Sequence, residues 1–517
     1  KRSARMRTAA YKVDVASDRR RRENVLKHIL YSIREEIAKR VSCSCQASER
    51  SCRWQFPQIY MNKQKNGGAD MIPEKLTIEW LRENYKKGTV TPREVVEEIV
   101  TRAKELKEMN IFIVEPENMD FEQYLSKLGE MDFDEKPLWG IPFAIKDNID
   151  LKGYPTTAAC PAYGYEPKES ATVPERLIKA GAIPIGKTNL DQFATGLVGT
   201  RSPYGEVHNS LREELISGGS SAGSAVAVAK GLAALALGTD TAGSGRVPAA
   251  LNNLIGFKPT VGAWPLCGVV PACASLDCVT VFANNLEDAL ETDRIVRGFD
   301  EADQWSKEVI RKESKLPEVI YIPKQPIDFY GPFARQYEAA WKESIALIEQ
   351  CGVPVEYVDT SFYQEAALLL YGGPCVAERW SDLGGFVMEH GEDLFPVTKT
   401  ILESGNRPDY TAEYLYQTLH KLTGYRHRSN LLLKNGILVF PTCAGTYSRE
   451  EVRKNPIETN SDMGKYTNHC NLLDMCAIAV PTAFAEENLP FGVTLFGTAA
   501  NEHLICAVAE KIEKSRL

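Results

Sequence analysis

The sequence lacks the features that would place it in a membrane or in an oxidising compartment. No apolar run reaches the roughly 20 residues that a bilayer-spanning helix needs, and the richest apolar stretch is interrupted by Lys230 and Gly231. The 13 cysteines are scattered without a repeating frame, and no CxxC pair occurs among them. These absences indicate a protein of the reduced cytoplasm rather than a membrane protein or a disulfide scaffold.

Histidine is scarce as well, and metal-binding patterns are missing. The 7 histidines show no HExxH or comparable spacing, so neither a metal nor another cofactor is expected. What is present is ordinary for a soluble enzyme, since 44% of the residues are hydrophobic and 25% are charged. A chain of 517 residues is long enough for one large domain or two medium ones.

Charge is unevenly divided along the chain. Residues 1–70 contain 17 Lys and Arg against 7 Asp and Glu, whereas residues 71–517 contain 44 against 62. The acidic remainder argues against nucleic acid as the main ligand. The sequence therefore predicts a basic N-terminal extension over residues 1–70 and a folded domain over residues 71–517.

The extension over residues 1–70 has several interpretations. Apolar residues between Val25 and Val41 recur at helical spacing after a basic run at 19–22, as in a basic helix that binds nucleic acid, binds a membrane surface or directs targeting. We favour another interpretation, in which the natural protein starts at Met71 and the extension is disordered or is upstream sequence translated from a misplaced start. Gly67 and Gly68 can be encoded by the purine-rich run that precedes many bacterial start codons.

After the extension the pattern becomes regular. Thr91-Pro-Arg-Glu94 is a capping box with proline at the first helical position, and it predicts a helix to about Lys107. Strand patterns and helical patterns then alternate until residue 282, and strand patterns return after a helix-rich region over 285–433. The predicted strands cover 111–114, 142–145, 182–185, 232–237, 279–282, 436–440, 477–480 and 492–496, and the predicted helices include 171–180 and 221–229. This alternation favours one α/β domain with a sheet covered by helices.

Two short motifs match familiar signatures in an unsuitable context. The run GAIPIGKT at Gly181 fits the P-loop pattern, yet a helix precedes it and apolar residues replace its flexible loop, so we interpret Lys187 as structural. The run GSSAG fits the nucleophile elbow of α/β-hydrolases, which would make Ser221 the nucleophile, yet a polar loop precedes it instead of a strand. Nucleotide binding and an α/β-hydrolase mechanism stay open as weaker alternatives.

Two serines in glycine-rich turns and a lysine in an apolar strand form the strongest chemical pattern. Ser220 lies in GGSSAGS, Ser244 in GTDTAGSGR, and Lys146 at the end of GIPFAIK. A serine hydroxyl attacks a carbonyl only when a base takes its proton. Lysine, with a reference pKa of about 10.4, is such a base only where burial keeps it neutral. The pattern indicates amide hydrolysis without histidine or metal.

These runs, in this order, resemble the amidase signature family. The resemblance extends from Met71 onward, with Ala222 standing where many members have glycine or serine. It implies an α/β fold with a large mixed central sheet covered by helices on both faces. It also implies that Ser244 is the nucleophile, that Ser220 is a bridging serine in a cis peptide, and that Lys146 is the general base.

The resemblance further implies an oxyanion hole in the turn after the second glycine-rich run. Its donors would be the backbone amides of Thr241, Ala242, Gly243 and Ser244. Asp240 and Arg246 flank this turn, and we interpret them as an ion pair that holds it.

Longer runs are most similar to the allophanate hydrolases of that family. They include NLDQFATGLVGTRSPYG from Asn189 and YGGPCVAER from Tyr371. This similarity implies that Arg379 binds the carboxylate of allophanate and that Tyr371 pairs with its urea end. A surface ion pair of Arg379 with Glu378 is the alternative. The expected reaction releases ammonia and carbon dioxide in urea degradation.

The expected partners follow from that reaction. We expect a small-molecule substrate, no nucleic acid, no membrane, a homodimer, and a functional link to a biotin-dependent urea carboxylase as the supplier of allophanate. An alternative within the family is the glutaminase subunit of a tRNA-dependent amidotransferase, which works only together with other proteins.

Overall fold

The computed structural model describes residues 71–516. The predictions made for the extension over residues 1–70 lie outside the described residues. Among the described residues, no helix is both long and apolar enough to cross a membrane.

Eleven strands of the described chain form one mixed sheet. The strands are β1 (Phe112–Val114), β2 (Pro142–Lys146), β3 (Ile183–Thr188), β4 (Leu235–Asp240), β5 (Ile255–Lys258), β6 (Cys278–Ala283), β7 (Val319–Pro323), β8 (Val355–Val358), β9 (Gly436–Pro441), β10 (Met475–Glu486) and β11 (Leu489–Thr498). Their spatial order is β1-β3-β2-β4-β6-β5-β10-β11-β9-β7-β8. Strand β2 runs parallel to β3 and β4, β7 runs parallel to β8 and β9, and the other neighbours are antiparallel.

Helices connect these strands and cover the sheet. They are α1 (Ile78–Lys87), α2 (Pro92–Glu105), α3 (Glu122–Leu128), α4 (Thr172–Lys179), α5 (Ala222–Ala229), α6 (Val247–Leu251), α7 (Leu286–Val296), α8 (Ala334–Glu349), α9 (Ser361–Gly372), α10 (Ala377–His390), α11 (Pro396–Glu403), α12 (Ala412–Leu432), α13 (Arg449–Lys454), α14 (Glu458–Gly464), α15 (His469–Leu472) and α16 (Glu502–Arg516). Helices α8 and α16 both pack against β10, so long central strands are shielded from solvent. The α/β class predicted from the sequence is confirmed.

The parallel pair β2 and β4 decides where the site forms. Every residue of both strands is buried, as is typical of parallel strands covered by helices. Ile145 of β2 is paired with Leu237 of β4. Because parallel strands end at the same edge of a sheet, the last residues of β2 and β4 come together there.

The predicted elements are largely found, and the differences have local causes. The capping box is formed, with Thr91 accepting from the Glu94 amide and Glu94 accepting from the Thr91 amide, and α2 ends at Glu105. The strand predicted over 232–237 begins only at Leu235, because Gly231, with a φ of 64°, ends the preceding helix. Strands β5, β7 and β8 were not predicted, and the latter two are short strands within a helix-rich region.

Candidate active site

The carboxyl ends of β2 and β4 place Lys146 against two hydroxyl groups. Lys146 Nζ lies 2.8 Å from Ser220 Oγ and 2.8 Å from Thr239 Oγ1. The side-chain amide of Asn148 donates to the same Thr239 hydroxyl at 3.4 Å. Lys146, Ser220 and Thr239 are all buried. Thr239, which sequence analysis missed, therefore accepts from two N–H groups and fixes the direction of the lysine amine toward Ser220.

Burial lowers the pKa of Lys146 to about 7. The apolar surroundings penalise the charged ammonium, whereas the carboxylates of Asp191, Asp277 and Asp240 favour it. The loss of hydration outweighs the three carboxylates. An appreciable fraction of the amine is consequently neutral near pH 7, which is the form that accepts a proton.

Ser220 is held in a turn that only glycines permit. The Gly219–Ser220 peptide bond is cis, as the resemblance implies. Gly218 has a φ of 75°, and a side chain at Gly219 would collide with Asp191 Oδ2. The Asp191 amide donates to the Ser220 carbonyl at 3.1 Å. The two glycines thus allow Asp191 to approach the backbone that carries Ser220.

Ser244 lies in the turn after β4, where consecutive backbone amides have no hydrogen-bond partner among the described residues. Its hydroxyl donates to the Gly196 carbonyl at 3.4 Å. The backbone amides of Ala242, Gly243 and Ser244 donate to no group within residues 71–516. Unpaired amides that follow one another in a turn can bind a developing oxyanion. The Thr241 amide likewise has no partner among these residues, so the four predicted donors are available for that task.

Buried carboxylates brace this turn from both sides. Asp240 and Arg246 form the predicted ion pair, with two hydrogen bonds of 2.9 Å, and Asp240 also accepts from the Gly245 amide at 3.0 Å. The Thr241 hydroxyl donates to Asp277, which also accepts from the Ala272 amide at 2.7 Å. Burial raises the pKa of Asp277 to about 6, against these hydrogen bonds. The ion-pair prediction is confirmed, and Asp277 is an additional support that the sequence did not reveal.

Arg379 and Tyr371 meet close to this turn, as their predicted roles require. Arg379 lies in the first turn of α10 and is 1% exposed. Its Nη2 donates to the Tyr371 hydroxyl at 3.1 Å, its Nη1 donates to the Thr195 hydroxyl at 2.9 Å, and its Nε has no partner in the described chain. Glu378 accepts instead from the amide and hydroxyl of Ser275. The alternative ion pair between Arg379 and Glu378 is therefore not formed.

A two-residue segment links this arginine to the nucleophile candidate. Thr195 accepts from Arg379, and the next residue, Gly196, accepts from the Ser244 hydroxyl. Arg201 donates to the Thr195 carbonyl at 2.9 Å. Thr195 and Arg201 both lie in the run quoted from Asn189, but nothing in their spacing reveals these contacts with α10.

The amidase family model matches residues 94–506, which include every residue of the site described above. The chain belongs to the amidase family. It is accordingly an enzyme that hydrolyses amide bonds, on the mixed α/β sheet typical of that family.

Three relatives show where the chain stands within the amidase family. Urea amidolyase of Saccharomyces cerevisiae is 44% identical over 382 residues, which are 72% of this chain and 20% of that protein. The solved structure of Kluyveromyces lactis allophanate hydrolase is 40% identical with a TM-score of 0.78, covering 84% of this chain and 72% of that one. A glutamyl-tRNA(Gln) amidotransferase component of Prochlorococcus marinus is 31% identical over 480 residues, 85% of this chain and 97% of that protein. The chain thus spans about a fifth of the urea amidolyase that it matches.

The two competing motifs have structural roles in this amidase. Ser221 Oγ donates to the Thr239 carbonyl at 3.1 Å and accepts from the Thr239 amide at 3.2 Å. Lys187 Nζ lies 3.1 Å from Asp147 Oδ1, with both side chains fully buried, and donates to Pro155 and Thr156. Residues 183–188 form the buried strand β3 rather than a phosphate-binding loop. Within residues 71–516, no group of three His, Cys, Asp or Glu side chains could hold a metal ion.

We expect Lys187→Met to lower the free energy of unfolding by about 3–5 kcal/mol, because it leaves the buried Asp147 carboxylate without its cation. Chemical denaturation measures this change. Lys179→Met is the matched control, since its pair with Glu175 is exposed and contributes less than about 1 kcal/mol. Magnesium-ATP should not raise the melting temperature of the unchanged protein. A stabilisation by ATP that Lys187→Met abolishes would contradict the structural role.

Proposed function

We propose that this amidase hydrolyses allophanate, a urea that carries a carboxylate on one nitrogen. The observation that carries the proposal is a buried arginine without an anionic partner near the candidate nucleophile. Arg379 forms no ion pair within residues 71–516, and its Nε has no hydrogen-bond partner there. A buried guanidinium is strongly unfavourable unless an anion compensates it. A planar carboxylate of the substrate matches the fork of N–H groups.

The separation between Arg379 and Ser244 favours a short substrate. Their contacts fall on Thr195 and Gly196, which are neighbours in the chain, and neighbouring Cα atoms are about 3.8 Å apart. In allophanate a single nitrogen separates the carboxylate carbon from the carbonyl carbon that is attacked. We propose that the substrate contacts the arginine with its carboxylate and the serine with its carbonyl carbon.

The chemistry that we propose is a proton relay. The Ser244 hydroxyl turns from the Gly196 carbonyl toward Ser220, transfers its proton to Ser220 Oγ, and attacks the terminal carbonyl carbon of allophanate. Ser220 passes its own proton to the neutral amine of Lys146, 2.8 Å away. The free amides of residues 242–244 stabilise the oxyanion. Lysine is a competent base here because burial brings its pKa to about 7.

Collapse of the tetrahedral intermediate breaks the bond to the terminal nitrogen. Lys146 returns the proton through Ser220, ammonia leaves, and an acyl group stays on Ser244. Water then attacks the acyl carbon, giving its proton to the same relay and releasing a dicarboxylated amine. That product breaks down to ammonia and carbon dioxide. A biotin-dependent urea carboxylase is the proposed supplier of allophanate.

A glutaminase is the second candidate, favoured by the 31% identity to the glutamyl-tRNA(Gln) amidotransferase component over nearly its whole length. Glutamine carries an α-ammonium group besides its carboxylate. A site for it needs an anion beside the carboxylate-binding cation. Here the buried charged groups near Arg379 are a cation, Arg201, which repels an ammonium group, and the carboxylate of Asp277. Asp277 already accepts from the Thr241 hydroxyl and the Ala272 amide, so the charge of Arg201 favours a substrate without an ammonium group.

We expect Ser244→Ala and Lys146→Met each to lower kcat by a factor on the order of 10⁴ to 10⁶, as in other hydrolases that lose a relay member. Steady-state ammonia release measures this, and circular dichroism shows whether both variants fold. Ser221→Ala is the control for the neighbouring serine. A covalent serine-directed probe should label Ser244 in the unchanged protein and in the Ser221 variant. Labelling of Ser221, or turnover by the Ser244 variant, would refute the relay.

We expect kcat/KM to rise with pH up to about 7 and then to level off. Activity falls at low pH because the Lys146 amine, whose pKa is about 7, is then protonated and cannot accept the proton of Ser220. Protonation of Asp277, whose pKa is about 6, acts in the same direction because it weakens the brace on Thr241. Lys146→Arg, which stays charged, should be inactive at every pH. A profile that is flat from about pH 5.5 to 8.5 would contradict a lysine base.

The substrate is tested by ammonia release from allophanate, biuret and glutamine. Biuret is the neutral counterpart of allophanate, with a carboxamide in place of the carboxylate. We expect allophanate to be preferred, and Arg379→Gln to lower kcat/KM for allophanate by about 10²–10³, corresponding to the loss of one partner of a buried charge pair. The same variant should affect biuret much less. Turnover of glutamine only, or equal losses on both ureas, would refute the assignment.

A further inference from the structure

Arg201 is a second buried guanidinium that forms no ion pair within residues 71–516. Like Arg379 it is 1% exposed. Its Nη1 donates to the Thr195 carbonyl at 2.9 Å and its Nη2 to the Pro456 carbonyl at 2.6 Å. Its Nε has no partner within residues 71–516, and no ion pair with a carboxylate forms there either.

The two arginines reach the same residue from different sides. Arg379 donates to the Thr195 hydroxyl, and Arg201 donates to the Thr195 carbonyl. Burial lowers the pKa of Arg201, and the charge of Arg379 adds to this effect, while Asp191 and Tyr371 oppose it. Asp191 does not neutralise Arg201 by direct contact, because its oxygens accept from the amides of Val198, Gly199 and Arg201.

Two buried like charges with unpaired Nε groups are costly unless an anion binds beside them. A guanidinium keeps its charge at every accessible pH, so it cannot relieve the repulsion by losing a proton. The cost is offset when an anion binds beside the two arginines. The orphaned Nε atoms of Arg201 and Arg379 are donors of the kind that an anion satisfies.

We infer that Arg201 is a specificity-determining residue, which makes the site selective for carboxylated amides over neutral ones. It acts as a positioning residue, by fixing Thr195 and hence Arg379, and as a second positive charge behind Arg379. The inference rests on the proposed function, because it assigns Arg201 to the carboxylate end of that substrate. The product of hydrolysis carries two carboxylates, whereas Arg379 alone supplies one positive charge. Arg201 supplies the second.

The test compares charged and neutral substrates in matched variants. Arg201→Gln should lower kcat/KM for allophanate about 10- to 100-fold, mainly through KM, while kcat/KM for biuret changes less than about threefold. Arg201→Lys should recover part of the loss on allophanate because it restores the charge. Arg176→Gln is the control: Arg176 also donates to main-chain carbonyls, those of Val296 and Gly298, but contacts no residue of the site. Equal losses on both ureas in Arg201→Gln would overturn the inference and leave a purely structural role.

A binding measurement separates this inference from the proposed function. Malonate has two carboxylates at the spacing of the product, and malonamide is its neutral counterpart. We expect malonate, but not malonamide, to raise the melting temperature of the unchanged protein, and this shift should be lost in Arg201→Gln and kept in Arg176→Gln. If allophanate is not hydrolysed but this pattern holds, the charge selectivity stands and the proposed substrate fails. If allophanate is hydrolysed and Arg201→Gln keeps the full malonate shift, the inference fails alone.

Discussion

The burial of one amine, that of Lys146, is the constraint on which the rest of the site depends. A lysine in water is charged, and only the loss of hydration at the edge of β2 and β4 brings its pKa to about 7. The sheet supplies that environment because both strands are buried along their whole length. Three carboxylates nearby work against the neutral form. Each of them has to be occupied by other donors, or the amine would stay protonated.

Those carboxylates are occupied by the turns that they hold. Asp191 accepts from the amides of residues 198, 199 and 201, Asp240 is paired with Arg246, and Asp277 accepts from Thr241 and from the amide of Ala272. Each negative charge therefore fixes a loop around Ser220 or Ser244. The same groups that shape the oxyanion turn also adjust the basicity of the lysine. In the proposed relay, this coupling adjusts the base that activates the serine.

Local sequence patterns were sufficient to predict the residues that lie in short characteristic motifs. The glycines around Ser220 and Ser244, the apolar strand before Lys146 and the capping box at Thr91 all appear in the structure as predicted. The sequence did not reveal Thr239 as a partner of Lys146, Asp277 as a brace, or Thr195 and Arg201 as neighbours of Arg379. These contacts join segments that are far apart in the chain. The sequence around a hydroxyl or a guanidinium does not indicate which distant residue it will contact. Strands β7 and β8 were missed because short strands among helices lack a clear period.

The residues proposed for catalysis and those proposed for substrate choice lie on different parts of the fold. Lys146, Ser220 and Ser244 lie on the strands of the sheet and the turns beside them, whereas Tyr371 and Arg379 lie at the facing ends of α9 and α10. Residues on helices beside a rigid sheet can change without altering the geometry of the relay. Relatives named for different activities, such as urea amidolyase and the glutamyl-tRNA(Gln) amidotransferase component, are consistent with this division. Under the proposed function, selectivity for a small carboxylated amide then depends on helix α10, which places the guanidinium of Arg379 against Thr195, next to the residue that Ser244 contacts.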